Sequence, residues 1–265
     1  MVRFGIVGTG RISDWVLKGA AQDSRISVTA VCSRTREAAE AFVQRNPMAC
    51  GARIYTSVDE MAADPEVTFK KLHDAGFKAC QTGYNGNWTQ KDAERLKELQ
   101  AKYDLKISTL MYCTPNCRWN FTEGPSTIGL VPPLNSVKYL DMHKKAIDFC
   151  AMAGIPAFPS LFGFIPEEPT SELYVGFIQV MKELCLYAKE RGVLVFCETG
   201  QETPTTLIRA IRDIGTGNIF VNCDTANLIL YGKANPVDAI YQFGSLLKEL
   251  HIKDGKYPTD PYQLG

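Results

Sequence analysis

Three side chains with metal-binding chemistry, Glu198, Asp224 and His251, lie in the last third of the chain. Each stands at or next to the carboxyl end of one of three successive predicted strands, Val193–Cys197, Ile219–Asn222 and Lys248–Ile252. In a parallel α/β barrel these ends converge on one mouth, where active sites form. Two carboxylates and an imidazole suit Mn²⁺, Mg²⁺, Co²⁺ or Zn²⁺. Such a metal would polarise a hydroxy-ketone while a carboxylate, here Glu198, moves a proton between adjacent carbons.

Each of these residues also has a purely structural interpretation. Glu198 could be a structural charge at the barrel mouth, and Asp224 could be a cap or turn residue, because Asp-Thr-Ala-Asn is typical of loops. His251 could be a hydrogen-bonded histidine at a strand end. The sequence leaves both interpretations open. The position of the three residues at three successive strand ends favours the metal site.

A second candidate site is the glycine-rich turn after strand Val2–Val7. In the βα context of the dinucleotide fingerprint, such a turn cradles a pyrophosphate at a helix N-terminus. After the next strand, Ser33 and Arg34 provide a hydroxyl and a guanidinium at the position where an acidic side chain would select NAD. These groups can bind the 2′-phosphate of NADP, so we expect NADP to be preferred over NAD. The predicted cofactor-binding residues are Gly8, Thr9, Gly10, Arg11, Ile12, Ser33 and Arg34. The alternative is a tight turn that binds nothing, with Arg34 as a solvated cap.

Apolar runs and amphipathic runs alternate along the whole chain, which is typical of a parallel sheet covered by helices. The other predicted strands are Ser27–Cys32, Arg53–Thr56, Lys78–Thr82, Lys106–Met111 and Ala157–Phe164. The predicted helices include Thr89–Tyr103, Val137–Ala153, Ser171–Arg191, Thr205–Ile214 and Pro236–Leu247.

Composition excludes several classes of protein. The 265 residues include 29 Lys+Arg and 29 Asp+Glu, so the chain lacks the cationic surplus of a nucleic-acid binder. We find no apolar run of transmembrane length and no signal-peptide layout. Nine scattered cysteines indicate reduced thiols, so we expect a cytoplasmic protein that binds a small molecule at most.

Residues 1–67 resemble the N-terminal segment of the Gfo/Idh/MocA oxidoreductases, through RFGIVGTGRIS, AVCSR, TREAAEAF and IYTSVDEMAADPEV. That resemblance implies a Rossmann-type βαβ fragment. The family's catalytic Glu-Lys-Pro motif and its C-terminal sheet domain are absent, so dehydrogenase chemistry is not implied.

Residues 68–265 resemble the sugar-phosphate isomerase/epimerase family with a xylose-isomerase-like TIM barrel. The matching strings are TFKKLHDAGFKACQTGYNG, LCLYAKERGVLVFCETG, NIFVNCDTANLILYGKANP and KELHIKDG. The resemblance implies that Glu198, Asp224 and His251 are metal ligands. The family's eighth-strand Glu, both a ligand and a proton-transfer group, has no counterpart, so we expect an incomplete metal site. At the fourth-strand end the run from Phe158 to Leu161 replaces the family's His, and Asn227 stands where a further His is common.

Residues 68–265 contain six predicted barrel strands, and residues 1–67 contain two more, Val2–Val7 and Ser27–Cys32. We therefore predict an α/β fold, a parallel (βα)8-like barrel that the N-terminal βαβ fragment completes, and we expect one folded unit. The alternative is a Rossmann-like subdomain beside a partial TIM barrel, and Arg53–Thr56 has no certain place in either arrangement. Our main functional interpretation is an engineered or recombined chimera with no strong evolved catalytic activity and, at most, residual binding of NADP or phosphate. The alternatives are a metal-dependent ketose isomerase or epimerase and an NADP-binding oxidoreductase module.

Overall fold

Strands and helices alternate in the computed structural model, which describes residues 2–7, 10–33, 35–55 and 65–265. The strands are β1 Val2–Val7, β2 Ile26–Cys32, β3 Arg53–Tyr55, β4 Ala79–Gly83, β5 Lys106–Met111, β6 Ala157–Ser160, β7 Leu194–Glu198, β8 Ile219–Asp224 and β9 Leu247–His251. The helices are α1 Arg11–Ala20, α2 Arg36–Arg45, α3 Pro65–Asp74, α4 Gln90–Tyr103, α5 Gly124–Thr127, α6 Pro133–Ala153, α7 Glu172–Glu190, α8 Pro204–Ile214, α9 Thr225–Leu230 and α10 Pro236–Phe243. Two units are distinguishable, Met1–Cys80 with Glu94–Ile107, and Gln81–Ala93 with Ser108–Gly265.

The first unit contains a parallel sheet of order β1-β2-β3. The helices α1 and α2 form the crossovers, and Thr35 caps α2 by accepting a hydrogen bond from the Ala38 N–H. The core of this unit includes Leu17, Val31 and Phe42, each at most 2% exposed. Parallel strands joined by helices in this way give the βαβ geometry predicted for the segment.

The segment predicted as Arg53–Thr56 is β3, paired in parallel with Ala30–Cys32, and Thr56 lies outside the described residues. Strand β2 thus has β1 on one side and β3 on the other. The remaining described strands form a two-stranded sheet, β4-β5, and a four-stranded sheet, β6-β7-β8-β9. A barrel completed by the N-terminal fragment is therefore not confirmed. The reason is that, among the described residues, β1, β2 and β3 hydrogen-bond only with one another and with no strand of the other two sheets.

The second unit contains the four-stranded parallel sheet β6-β7-β8-β9. Its middle strands are buried over almost their whole length, as expected for a parallel sheet that is covered on both faces. Apolar side chains of α7 complete the core on one side, and the largest of them that is fully buried is Phe177. This sheet carries the three candidate ligands at the ends of adjacent strands.

Three predicted boundaries differ from the structure by four residues. Strand β6 ends at Ser160 instead of Phe164, because the Phe162 carbonyl accepts hydrogen bonds from the backbone N–H groups of Leu130 and Val131 rather than continuing a ladder. Helix α6 begins at Pro133, four residues before the predicted start, since proline is favoured in the first turn. Helix α10 ends at Phe243 instead of Leu247; a 3₁₀ turn, Gly244–Leu246, follows it.

Gly129 packs directly against the backbone at Phe162, and its φ of +69° is left-handed. A Cβ there would overlap the Phe162 carbonyl group. Gly192 has the same φ of +69°, but no atom lies within 4 Å of the place that a Cβ would occupy, so it is a matched control. We expect Gly129→Ala to lower the free energy of unfolding by about 2 kcal/mol more than Gly192→Ala does. Urea unfolding of both variants measures the difference, and equal losses would contradict the close approach.

No helix in the described part of the chain is long and apolar enough to cross a membrane. None of the cysteine side chains that the structure describes is part of a disulfide: Cys50, Cys80, Cys113, Cys117, Cys150, Cys185, Cys197 and Cys223.

Candidate metal centre

The structure brings Glu198, Asp224 and His251 together at one end of the second unit's sheet. They are the last residues of β7, β8 and β9, and Asp224 is paired directly with His251 in the β8–β9 register. One ligand atom from each residue lies within 4.8 Å of the others. His251 Nδ1 is 3.3 Å from Glu198 Oε2 and 3.9 Å from Asp224 Oδ2. Both carboxylates are buried, and the imidazole is partly buried.

Two asparagine side chains orient the Glu198 carboxylate. Asn222 Nδ2 donates to Oε2 over 3.4 Å, and Asn227 Nδ2 donates to Oε1 over 3.3 Å. Asn222 lies on the neighbouring strand and pairs with Glu198 in register. Asn227 lies in the first turn of α9. With both oxygens engaged, the carboxylate is held in one orientation while Oε2 still faces His251.

Asp224 serves two purposes, which correspond to the two interpretations of its sequence context. Its Oδ1 caps α9 by accepting a hydrogen bond of 2.9 Å from the Asn227 N–H. Its Oδ2 faces His251 and accepts a hydrogen bond of 3.0 Å from Lys253 Nζ. The same ammonium donates to Asn227 Oδ1 over 2.7 Å. Capping and ligand geometry are therefore compatible in one side chain.

Burial and charge set the protonation behaviour of the site. Burial raises the pKa of Glu198, and the nearby Asp224 charge adds to the rise, while His251 and Lys253 oppose it. Burial acts to lower the pKa of His251, but its contact with Glu198 and the surrounding carboxylate charges outweigh burial and raise that pKa. A carboxylate whose pKa is raised by burial is suited to exchange protons with a substrate.

Sequence reasoning missed two groups at this site. Lys253 lies two residues beyond His251, and strand alternation places residues two apart on the same side, so this signal was available. Gln81, on β4, contacts His251 Nε2 through its Oε1 across 170 residues of sequence, and no local pattern indicates that pairing. The remaining acids considered as ligands, Asp254 and Asp260, accept hydrogen bonds from nearby backbone N–H groups instead.

The end of β6, where the family resemblance would place a histidine, is packed with apolar side chains. Phe158, Leu161 and Phe162 are at most 5% exposed. The Phe158 and Phe162 rings lie 5.8 and 6.0 Å from the ring of buried His143. These three side chains are therefore part of the apolar core, and none of them is a metal ligand.

Part of the predicted NADP site falls on described residues. Gly10 is the N-cap of α1, Arg11 and Ile12 open that helix, and Ser33 follows β2. Gly8, Thr9 and Arg34 lie outside the described residues. The preference for NADP over NAD depends on Arg34 and stays a prediction.

Comparison with known proteins gives two family matches that meet at residue 69. Residues 69–263 match the xylose isomerase-like TIM barrel family, and residues 2–69 match the Gfo/Idh/MocA oxidoreductase family with an NAD-binding Rossmann fold. The two-part composition expected from the sequence is thereby confirmed. No curated protein matches the chain.

Several solved structures share the fold of the second part. A xylose isomerase domain protein from Planctomyces limnophilus has a TM-score of 0.69 and 24% identity, over 74% of each chain. A D-psicose 3-epimerase from Clostridium cellulolyticum H10, solved with D-tagatose, has a TM-score of 0.57 and 13% identity, over 75% of this chain and 73% of that one. An L-ribulose 3-epimerase has a TM-score of 0.57 and 18% identity, over 74% of this chain and 64% of that one. Because the first family match covers most of the sequence, this chain belongs to the xylose isomerase-like TIM barrel family.

Proposed function

We propose that the site formed by Glu198, Asp224 and His251 catalyses a divalent-metal-dependent isomerisation or epimerisation of a ketose. The observation that carries the proposal is the convergence of two carboxylates and an imidazole within 4.8 Å at three successive strand ends. The 3-epimerases among the similar structures support the ketose class and favour this function over a chain without evolved activity. An engineered origin stays a hypothesis and is not needed for this proposal.

The set of three donors fits a divalent cation even though the eighth-strand Glu of the resembling family has no counterpart in this chain. Catalytic metal sites commonly use three protein ligands and keep a further position open for water or substrate. Two buried carboxylates beside one imidazole nitrogen leave net negative charge, which a cation would offset. Lys253 Nζ already hydrogen-bonds Asp224 Oδ2 at 3.0 Å, so cation binding must weaken that contact. A bound divalent cation supplies Lewis-acid polarisation of the ketose carbonyl.

The chain's own residues then account for the proton transfer. Glu198 is the carboxylate that takes a proton from the carbon next to the carbonyl, and Asn222 and Asn227 hold it in place. In an isomerisation Glu198 would return this proton to the neighbouring carbon, whereas an epimerisation needs a second proton donor on the other face of the same carbon, which would be a solvent water. Lys253, half-exposed beside Asp224, provides a positive charge that would stabilise a substrate oxygen as negative charge develops on it.

Deuterium exchange from D₂O into D-fructose tests this function. We expect the protein with added Mn²⁺ or Co²⁺ to label C3 if it epimerises and C1 if it isomerises, as read by NMR. Chelation with EDTA should abolish labelling, and restoring the metal should restore it, because the carbonyl is no longer polarised without the cation. The same assay on D-tagatose and D-psicose extends the test to other ketoses. Metal-independent labelling, or none with any of these ketoses and metals, would contradict the proposal.

A further inference from the structure

The imidazole of His251 is contacted on both of its nitrogens. Nδ1 faces Glu198 Oε2 at 3.3 Å and Asp224 Oδ2 at 3.9 Å. Nε2 lies in hydrogen-bonding contact with the side-chain oxygen of Gln81. Gln81 is part of β4, whereas the three candidate ligands belong to the sheet of β6–β9. A strand outside the ligand-bearing sheet therefore reaches the ring of one ligand.

The chemistry of the two partners assigns the proton. With the amide oxygen of Gln81 facing the ring, Nε2 carries the N–H, because an amide oxygen only accepts hydrogen bonds. A neutral imidazole has one N–H, which leaves the lone pair of Nδ1 directed towards Glu198 and Asp224. In this neutral form the Nδ1 lone pair faces two carboxylate oxygens, a repulsive arrangement that either a proton on Nδ1 or a cation between the three groups relieves.

We propose that Gln81 is a positioning residue that holds the His251 proton on Nε2 and so presents Nδ1 as the nitrogen donor to a divalent cation. This inference rests on the proposed function, because it assumes that the three residues bind a metal. In many metal sites a carboxylate or a backbone carbonyl accepts a hydrogen bond from the second nitrogen of a metal-bound histidine, and we assign this function to Gln81. Loss of such a partner typically lowers metal affinity by about 10- to 100-fold.

Two substitutions at Gln81 separate hydrogen bonding from packing. Gln81→Leu keeps a similar volume but removes the acceptor, and we expect it to weaken Mn²⁺ or Co²⁺ binding by roughly tenfold or more in calorimetric titration. Gln81→Glu keeps an acceptor for Nε2–H, and we expect it to bind the metal at least as tightly as the wild type. Gln242→Leu, on the exposed side of α10, is the matched control and should leave the affinity unchanged. Equal losses in the Leu and Glu variants, or none in the Leu variant, would overturn the assignment.

The tautomer of His251 gives a readout that needs no metal. The chain has 3 histidines, so ¹⁵N–¹H NMR of the imidazoles is readily assigned with His73→Gln and His143→Gln variants. In the metal-free protein at alkaline pH, where the ring is neutral, we expect the Nε2–H form in the wild type and in Gln81→Glu. Gln81→Leu should shift the population towards Nδ1–H, with that proton directed at Glu198.

An Nδ1–H tautomer in the wild type would show that the Gln81 amide is turned the other way and donates to His251, which overturns the inference. A wild type that has the Nε2–H form yet binds neither Mn²⁺ nor Co²⁺ would contradict the proposed metal site while leaving the Gln81–His251 hydrogen bond established. The two failures are therefore distinguishable.

Discussion

Replacing Glu198 with glutamine should lower metal-dependent proton exchange on the ketose by about 10²- to 10⁴-fold, the usual contribution of a positioned general base. The amide keeps the size of the carboxylate but cannot accept the substrate proton. It also loses one of the acceptor oxygens that Asn222 and Asn227 now bind, so some local rearrangement is expected. Initial rates of C3 or C1 deuteration at saturating ketose measure the effect.

Loss of a ligand and loss of a base must be separated in this variant. Rates are therefore compared at metal concentrations that saturate each protein, with the affinity determined by calorimetry. Glu190→Gln, at a side chain that is 76% exposed, is the control and should retain full activity. If Glu198→Gln regains wild-type rates once the metal is saturating, Glu198 is a ligand only and another group moves the proton.

Acidification from pH 6.5 to pH 4 should carry a destabilising contribution from His143. This side chain is fully buried, its Nδ1 contacts the Tyr139 carbonyl at 2.8 Å, and the rings of Tyr112 and Phe158 pack edge-on against it. Burial lowers the pKa of His143 to about 4, although the hydrogen bond to Tyr139 partly opposes the change. The group is therefore neutral in the folded protein at pH values where it is already protonated in the unfolded chain.

The sign of the effect follows from proton linkage. Between the unfolded value of about 6.5 and the folded value of about 4, the unfolded state binds more protons at this residue, so the contribution of His143 to the free energy of unfolding falls as the pH falls, whereas buried Glu202, whose pKa is raised to about 8, contributes in the opposite direction. At 1.36 kcal/mol per pKa unit, the loss from this residue is about 3 kcal/mol across the window. Urea unfolding at several pH values measures the slope. The difference in slope between the wild type and His143→Gln isolates this contribution, and His73→Gln, at an exposed position, should keep the wild-type slope. An unchanged slope in His143→Gln would contradict this origin.

Much of the candidate site follows from the order of strands along the chain. Glu198, Asp224 and His251 each follow an apolar run, and the carboxyl ends of parallel strands meet at one edge of a sheet. Local patterns were therefore sufficient to predict that these three residues converge. The βαβ character of the N-terminal segment was predictable for the same reason, since alternating strand and helix runs favour parallel pairing of neighbours in sequence.

Pairings between residues far apart in sequence depended on the tertiary structure. Gln81 and His251 are separated by 170 residues, and nothing in either local sequence indicates the other. The early end of β6 depends on Gly129, a loop residue 31 positions before Ser160 whose missing side chain lets the backbone at Phe162 approach. The periodicity of apolar residues indicates which face of a helix or strand is buried, because apolar side chains are the ones that pack into the core. It does not report which distant group completes a hydrogen bond, because that is decided by how the elements pack.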